Sequence, residues 1–154
     1  MSAQPQRFDD LLAETGRPLL RLVQHLTGME TSFITSIDWD EQSQDVVLSL
    51  NTGAILVEEG GRVSWSQSLC RSMFVSGRLQ SANIVHEVAG TEVAKMLGMR
   101  SFFALPIQSG DSTIGTLCGA SAQPVELDDR QMQAMELIAE SLCQQLETHR
   151  QQRR

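Results

Sequence analysis

The sequence predicts an α+β domain built on a single antiparallel sheet, and three observations predict this class. Apolar residues recur at helical spacing near both ends of the chain. The middle of the chain contains short segments rich in β-branched and aromatic residues. Polar turns join consecutive segments of this kind, which favours antiparallel pairing, and helices at the ends and in the middle then form separate layers.

The N-terminal segment is predicted to be an amphipathic helix. Apolar residues from Phe8 to Leu26 recur at helical spacing, and Gly28 ends the segment. Gly16 and Pro18 interrupt the pattern. Because proline removes a backbone hydrogen bond, we expect a kink here or a division into two short helices.

Three strands are expected to follow this helix. The first two flank a polar turn and open a meander, and a Gly-Gly pair closes the third. The predicted strands cover residues 31–39, 45–50 and 54–58.

The middle of the chain is expected to supply a helix, a fourth strand and a second short helix. Ser66 is a suitable N-cap for a helix that runs to Val75. An apolar strand is predicted at 82–88, and a short helix at 91–97 stops at Gly98 in the pattern of a C-terminal glycine cap.

A hairpin between Ser101 and Ser121 is predicted to form the fifth and sixth strands. Its two apolar arms flank a short polar turn that contains a glycine, and neither arm has a titratable side chain. Gly115 and Gly119 lie inside the second arm, where glycine weakens a strand unless another backbone or a ligand must come close. We therefore expect this sheet to be covered on one face and to line a cavity on the other.

A long helix is predicted from Asp128, with Gln131 completing a capping box, to the C-terminus at Arg154. Its apolar residues follow a heptad spacing. Two interpretations stay open: the part beyond Leu142 meets a partner helix, or the whole stripe is intradomain core with a disordered polar tail. The stripe contains Met132, Met135, Ala139, Leu142, Leu146 and His149, of which Met135, Leu142, Leu146 and His149 are assigned to a dimer helix.

Charge and motifs exclude several classes of protein. The net charge of −7 argues against a nucleic-acid binder, and the basic cluster of Arg150, Arg153 and Arg154 is typical of a solvated helix end. The common nucleotide-binding, metalloprotease and serine-hydrolase motifs are absent. His86 and Glu87 are the only adjacent titratable pair on a predicted strand, where they point to opposite faces, which argues against a catalytic pair.

The cysteines predict a reducing environment. They are odd in number and form no C-x-x-C pair, which argues against a disulfide framework and a zinc site. No apolar run approaches the length of a membrane span, and no signal peptide is visible. The three cysteines, Cys70, Cys118 and Cys143, are therefore expected to be reduced, and a cytoplasmic location is expected for the chain.

The polar and aromatic segment from Trp65 to Arg71 is the best candidate for a binding site. It places a stacking face, two serines and a cation at the start of a helix, where an anionic ligand could bind. In the alternative interpretation Trp65 is core, the serines cap the helix and Arg71 pairs with a surface acid. Cys70 is either a reactive thiol, activated by the helix terminus and Arg71, or an inert buried cysteine.

The chain resembles the GAF domain family of small-molecule sensory modules over nearly its whole length. The resemblance rests on V-S-W-S-Q-S-L-C-R, A-N-I-V-H-E-V, M-L-G-M-R-S-F-F-A-L-P-I and S-T-I-G-T-L-C-G-A-S. The chain looks like the GAF modules of bacterial proteins with a GGDEF (diguanylate cyclase) or histidine-kinase output. The family implies a profilin-like sheet with both terminal helices on one face, a ligand pocket on the other, and dimerisation through the terminal helices.

The resemblance also implies which residues line the pocket and which cofactors are disfavoured. Cyclic nucleotides are disfavoured because the N-K-x-[FY]-D-E set is absent, and covalent bilin because Arg71 follows Cys70 where histidine is common. No metal is indicated, and the ligand stays unidentified. The implied lining residues are Trp65, Ser68, Cys70, Arg71, Phe74, Phe103 and Cys118.

The sequence thus predicts one sensory domain over residues 1–154, with no catalysis of its own. It divides into an N-terminal helix (1–27), a sheet and pocket core (28–126) and a C-terminal signalling helix (127–154) that feeds an output domain, possibly a diguanylate cyclase. Two alternatives stay open. The domain is a structural dimerisation module whose pocket is filled by its own side chains, or it reduces free methionine sulfoxide through Cys70.

Overall fold

The computed structural model describes the backbone of residues 3–152 and the side chains of residues 12–152. Six strands and six α-helices lie in this part of the chain. The helices are α1 (Ala3–Thr27), α2 (Leu69–Ser76), α3 (Ile84–Glu87), α4 (Glu92–Leu97), α5 (Asp129–Ser141) and α6 (Cys143–Gln152). The strands are β1 (Thr31–Asp38), β2 (Ser43–Asn51), β3 (Arg62–Ser64), β4 (Gln80–Ser81), β5 (Ser101–Ser109) and β6 (Ser112–Ser121).

The strands form one antiparallel sheet in the order β3-β2-β1-β6-β5-β4. The predicted α+β class, the single sheet and the number of strands are therefore confirmed. The hairpin of β5 and β6 pairs Ser101 with Ser121 and Ser109 with Ser112, so it occupies the place that the sequence predicts. β1 lies between β2 and β6, which makes β1 and β6 the central strands.

The terminal helices α1, α5 and α6 cover one face of the sheet. Alternate apolar side chains of the strands pack against them, as the pleat of a sheet requires. This face holds the larger of the two apolar cores. Its buried members include Leu12, Leu20, Val23, Ile34, Leu48, Phe103, Leu105, Leu117, Met135, Leu142 and Leu146.

The short helices α2, α3 and α4 cover the opposite face. The side chains between these elements form a second core that is separate from the first. The layer arrangement implied by the family resemblance is therefore present. The buried members of this core include Phe33, Ile55, Cys70, Met73, Ile84, Val88, Met99, Phe102, Ala104 and Cys118.

Helix α1 continues through Gly16 and Pro18, so of the two predicted alternatives, a kink or two short helices, the second is wrong. Gly16 faces the sheet, where a Cβ atom would lie 2.5 Å from Cδ1 of Leu48. The glycine therefore lets the helix approach β2 closely instead of ending it. The side chain of Phe8, which opens the apolar pattern, lies outside the described residues.

The third strand lies at 62–64 and not at the predicted 54–58. Ile55 and Val57 in segment 54–58 are buried. The main chain of this segment forms hydrogen bonds with a side chain and not with a neighbouring strand. The Asn51 amide donates to the Val57 carbonyl at 3.0 Å and accepts from the Val57 N–H at 3.1 Å. The side chain thus replaces the pairing that a third strand would supply.

The predicted fourth strand at 82–88 is also wrong, because the chain leaves the sheet after Ser81. The Ser81 hydroxyl accepts from the Asn83 N–H at 3.1 Å, and the Asn83 carbonyl accepts from the N–H groups of His86 and Glu87. These bonds start α3. His86 and Glu87 are both exposed on this helix.

Two helix termini differ from the expected positions. Ser66 lies in a single 3₁₀ turn, and Ser68 is the N-cap of α2. The capping box of Asp128 and Gln131 is present, but the last helix is divided at Leu142 into α5 and α6. At this break the Leu142 N–H bonds to the Ala139 carbonyl, three residues back. In contrast, the helix that ends at Gly98 is confirmed.

The two glycines of β6 face the terminal helices and not a cavity. A Cβ atom at Gly119 would lie 2.9 Å from Cδ2 of Phe103, and one at Gly115 would lie 2.6 Å from Cδ2 of Leu146. Both sites are therefore occupied by side chains of the same chain. No helix in the described residues is both long and apolar enough to cross a lipid bilayer.

Candidate functional site

A buried polar cluster lies between α2 and the central strands. Gln44 of β2 donates to Thr35 of β1 at 2.8 Å and to Thr116 of β6 at 3.2 Å. Its carbonyl oxygen accepts from the Ser68 hydroxyl at 2.5 Å, while the two threonine hydroxyls lie 2.5 Å apart. One glutamine thus joins the first turn of α2 to three strands. Buried polar groups that satisfy one another in this way hold their elements in one arrangement.

Ser68 has a second role, because it also caps α2. Its hydroxyl oxygen accepts from the N–H groups of Cys70 at 3.0 Å and Arg71 at 3.3 Å. The same hydroxyl therefore satisfies the free end of the helix and donates to Gln44. The position of the helix terminus and the state of the polar cluster are linked through this one side chain.

The thiols of Cys70 and Cys118 complete the cluster. Their sulfur atoms lie 3.4 Å apart, and the Thr116 hydroxyl lies 3.4 Å from the first and 3.2 Å from the second. The hydrogen bond from Cys118, helped by the nearby hydroxyl and amide groups, lowers the pKa of Cys70 to about 7 against the effect of burial. Burial and the neighbouring Cys70 raise the pKa of Cys118 well above its usual value.

Aromatic rings cover the outer side of this cluster. The Trp65 ring lies 6.3 Å from the Phe74 ring and 5.0 Å from the Trp39 ring, in an edge-on arrangement. The Trp39 indole N–H donates to the Thr113 carbonyl at 2.7 Å, which holds this partly exposed ring over the end of the sheet. Trp65 therefore packs against two aromatic rings of the same chain.

An open groove of about 630 Å³ lies on the outer side of α2, facing the segment between α3 and α4. The Ser72 hydroxyl donates to the Gly90 carbonyl at 3.1 Å and so links the two walls. Arg71 and Glu92 supply opposite charges at the surface. The groove is lined by Ser66, Gln67, Arg71, Ser72, Val75, Ser76, Ala89, Gly90, Glu92 and Val93.

The sequence also matches the model of a protein family, and this match agrees with the fold and with a site between the sheet and three short helices. The sequence profile of the GAF domain matches residues 12–146. The chain belongs to the GAF family. The predicted membership and the family's sheet architecture are therefore confirmed.

The GAF chain is also similar to proteins of known function and structure. It is 27% identical over 146 residues to the diguanylate cyclase DgcP of Escherichia coli (strain K12), a match that covers 94% of this chain and 42% of the cyclase. The chromophore-binding domain of the bacteriophytochrome RpBphP3 from R. palustris aligns over 96% of this chain and 61% of its own length. The TM-score is 0.71 at 13% identity.

The chromophore-binding domain of Stigmatella aurantiaca phytochrome P1 aligns with a TM-score of 0.66 at 11% identity. This match covers 82% of the GAF chain and 51% of the phytochrome domain. At such low identity both phytochrome structures support the fold alone. The chain therefore spans less than two thirds of each of these three proteins.

The structure brings three of the seven proposed pocket residues into direct contact. Ser68, Cys70 and Cys118 meet in the buried polar cluster, where each is at most 3% exposed. Trp65 and Phe74 lie above them and contact each other. The site that the sequence places here is thus occupied by the GAF domain's own side chains.

The other two proposed residues lie elsewhere. Arg71 is exposed and lines the outer groove. Phe103 packs against the terminal helices on the opposite face, so its assignment to the pocket is wrong. Its neighbour Phe102 faces the short helices, 6.3 Å from the ring of Phe33. Successive side chains of a strand point to opposite faces, and every residue from Ser101 to Leu105 is buried, so polarity does not reveal which face is which.

Three residues of the cluster were missed from the sequence: Thr35, Gln44 and Thr116. A signal was available for one of them. Thr116 interrupts an otherwise apolar arm of the hairpin, and a polar residue in a buried strand needs a partner. The sequence gives no such signal for Gln44, because this residue follows a polar turn, where an exposed glutamine is common.

The proposed dimer residues are buried within this chain. Met135, Leu142 and Leu146 are fully buried, and His149 is 5% exposed. The alternative in which the stripe is intradomain core describes their packing, so a partner helix cannot reach these side chains in this arrangement. Within residues 12–152, no three His, Cys, Asp or Glu side chains come together in a group that could hold a metal ion.

Proposed function

We propose that this GAF domain is the sensory part of a longer signalling protein and has no catalysis of its own. The domain lies in the cytoplasm, binds a small anionic molecule in the groove beside Arg71, and passes the signal to an output domain through its terminal helices. The observation that carries the proposal is the groove itself, whose volume falls in the range of small-molecule sites. Similarity to a diguanylate cyclase supports a cyclase as the output domain.

Of the two charged residues that line the groove, Arg71 and Glu92, Arg71 is the one that favours an anionic group on the ligand. Arg71 supplies a planar, permanently charged donor, which suits carboxylate and phosphate groups. Serine hydroxyls line the same wall, while Val75 and Val93 provide apolar surface for the rest of the molecule. A ligand that bridges the groove contacts α2 on one side and the segment before α4 on the other.

The buried polar cluster supports a route from the groove to the terminal helices. Arg71 donates its backbone N–H to Ser68, which bonds to Gln44 and through it to Thr35 and Thr116. On the other face of the same strands, Leu146 of α6 packs over Gly115. A displacement of α2 that breaks the Ser68 bond therefore acts on strands that carry the last helix. Two such arrangements, biased differently by the ligand, are what signalling requires.

We expect a thermal-shift screen of carboxylates, amino acids and nucleotides to find a stabilising ligand. A ligand present at about 100 times its Kd raises the free energy of unfolding by about 2.7 kcal/mol. Replacement of Arg71 by alanine should weaken binding at least about tenfold, because a charged hydrogen bond is worth about 1.5–3 kcal/mol. Isothermal titration calorimetry on both proteins measures this change.

Arg100→Ala is the matched control for that measurement. Arg100 is also exposed but does not line the groove, so its removal should leave the Kd unchanged. Equal losses in the two variants would reject the groove as the site. The absence of any ligand would favour the alternative of a structural module, which already gains support from the filling of the space around Cys70 and Cys118.

The second part of the proposal is a homodimer formed through the terminal helices. Since the residues of the heptad stripe are buried, the contact must use other side chains. Helix α1 exposes Leu22 and Leu26, which lie one turn apart on its surface and are each about 40% exposed. Leu26 also lies beside α5, because Gln131 donates to its carbonyl at 3.0 Å. We assign the contact to these two leucines of each copy.

We expect sedimentation velocity to show a dimer for the wild-type chain and a folded monomer for Leu22→Glu with Leu26→Glu. Four carboxylates placed in one apolar contact lose their hydration and repel one another. Leu56→Glu changes a leucine in the loop after β2 that is 68% exposed, more than Leu22 and Leu26, and this variant should remain dimeric. A monomeric wild type, or a double variant that is still dimeric, would contradict this contact.

A further inference from the structure

Cys70 and Cys118 form a buried pair of thiols that the sensory proposal does not use. They lie 48 positions apart in the chain, on the first turn of α2 and on β6, yet their sulfur atoms are 3.4 Å apart. The two cysteines do not belong to one short sequence motif, so the tertiary fold alone brings their thiols together. Cys143 lies on the other face, where its thiol donates to the Gln108 carbonyl at 3.0 Å.

The surroundings of the two sulfur atoms differ: those of Cys70 stabilise a thiolate, and those of Cys118 keep the thiol protonated. Cys70 lies at the start of a helix and receives hydrogen bonds from Cys118 and Thr116, which stabilise its thiolate. Cys118 lies in the middle of a central strand and keeps its proton. The first sulfur is therefore suited to attack an oxidant, and the second is held beside it as the resolving thiol.

We infer that Cys70 and Cys118 are a redox-sensitive pair that closes to an intrachain disulfide when hydrogen peroxide reaches Cys70. The Cys70 thiolate attacks one peroxide oxygen, so an S–O bond forms, the O–O bond breaks, and the leaving hydroxide takes a proton to become water. The Cys118 sulfur then loses its proton and attacks the Cys70 sulfur. The S–O bond breaks and a second water leaves. Two thiols are oxidised by two electrons, and one peroxide is reduced to two waters.

Burial restricts the oxidant to a small molecule. Cys70 is 3% exposed and Cys118 fully buried, so bulky disulfides such as glutathione disulfide are excluded from direct attack on either sulfur. Hydrogen peroxide is little larger than water and is uncharged. Cys70 lies on the first turn of α2, and the nearby residues Gln67 and Arg71 are exposed.

Closure of the disulfide moves the start of α2 toward β6. The sulfur atoms must approach from 3.4 Å to about 2.05 Å, and the bond then ties the helix to the strand. Ser68 lies two residues before Cys70 and Arg71 directly after it, so the cap of α2 and one wall of the groove move with it. Oxidation would act on the same element that the ligand contacts, but formation of the disulfide needs no ligand.

The test uses the wild-type chain treated with hydrogen peroxide, then denatured and alkylated. We expect two thiols to become resistant to alkylation while Cys143 stays reactive. The intact mass, measured before alkylation, should fall by two hydrogen atoms. Peptide mapping without reductant should recover a Cys70–Cys118 cross-link, and dithiothreitol should remove it. Alkylation of all three cysteines after peroxide, or a cross-link that involves Cys143, would overturn the inference.

Three serine variants sharpen the result. Cys143→Ser should behave as the wild type, and Cys70→Ser should form no disulfide. In Cys118→Ser the Cys70 sulfenic acid has no resolving thiol, so it should accumulate and be trapped by dimedone. Circular dichroism checks that each variant is folded. If a variant does not fold, the peptide map of the wild type still shows whether the Cys70–Cys118 disulfide forms. Because ligand binding is absent from this assay, its outcome is independent of the proposed sensory function.

Discussion

Replacement of Leu142 by arginine should unfold this domain. Leu142 is fully buried at the junction of α5 and α6, among apolar side chains of the core that the terminal helices form with the sheet. An arginine there has a charge without a partner, and burial of an unpaired charge belongs to the few changes that exceed about 4 kcal/mol. Since domains of this size are stable by about 5–15 kcal/mol, we expect loss of the cooperative transition in urea, followed by circular dichroism.

Leu137→Arg is the matched control, because Leu137 lies on α5 and is 65% exposed. Its free energy of unfolding should change by no more than about 0.5 kcal/mol. If Leu142→Arg instead gave a folded monomer, the last helix would be able to leave the core and serve as a partner surface. The stability of Leu142→Arg, compared with that of Leu137→Arg, therefore separates a buried stripe from a dimer seam.

The same residues show what helical spacing can and cannot predict. The spacing identified Met135, Leu142 and Leu146 as one apolar stripe, and this stripe exists. Spacing does not say whether the surface opposite the stripe belongs to a second copy or to the chain's own sheet. An amphipathic helix has the same pattern in both cases, so the choice depends on tertiary contacts that are distant in sequence.

The strands show a second limit of this kind. The hairpin was predictable because its hydrogen bonds join neighbouring segments across a short turn. The segments 54–58 and 82–88 were apolar and buried in part, as strands would be, but the side chains of Asn51 and Ser81 redirect their main chain. Such local bonds from side chain to backbone compete with strand pairing, and composition does not reveal them.

The candidate site was predictable in its position and not in its content. Of residues 65–71, Cys70 contacts Cys118, whereas Arg71 is exposed in the outer groove. Gln44 was unpredictable because its role depends on three strands and a helix meeting at one point. The face to which Phe103 points also depends on the register of β5, which a fully apolar segment leaves open.

Gly115→Ala is the second substitution with a large expected effect. A Cβ atom at this position would overlap the backbone carbonyl oxygen of Thr35 and lie 2.6 Å from Cδ2 of Leu146. Side chains can turn away, but the carbonyl belongs to β1, which pairs with β6 along its length. The strands must separate or α6 must lift from the sheet, so we expect a loss of about 3 kcal/mol, the upper end for overpacking.

Gly61→Ala serves as the control, since the nearest atom to its added Cβ is the Glu58 carbonyl oxygen at 3.1 Å. Its stability should change by less than about 1 kcal/mol. Urea denaturation measures both variants, and hydrogen exchange at the amides of α6 locates the damage. A Gly115→Ala protein as stable as Gly61→Ala would mean that α6 is not seated on β6. The glycine would then have to be explained by a ligand that approaches the strand, as the sequence alone suggested.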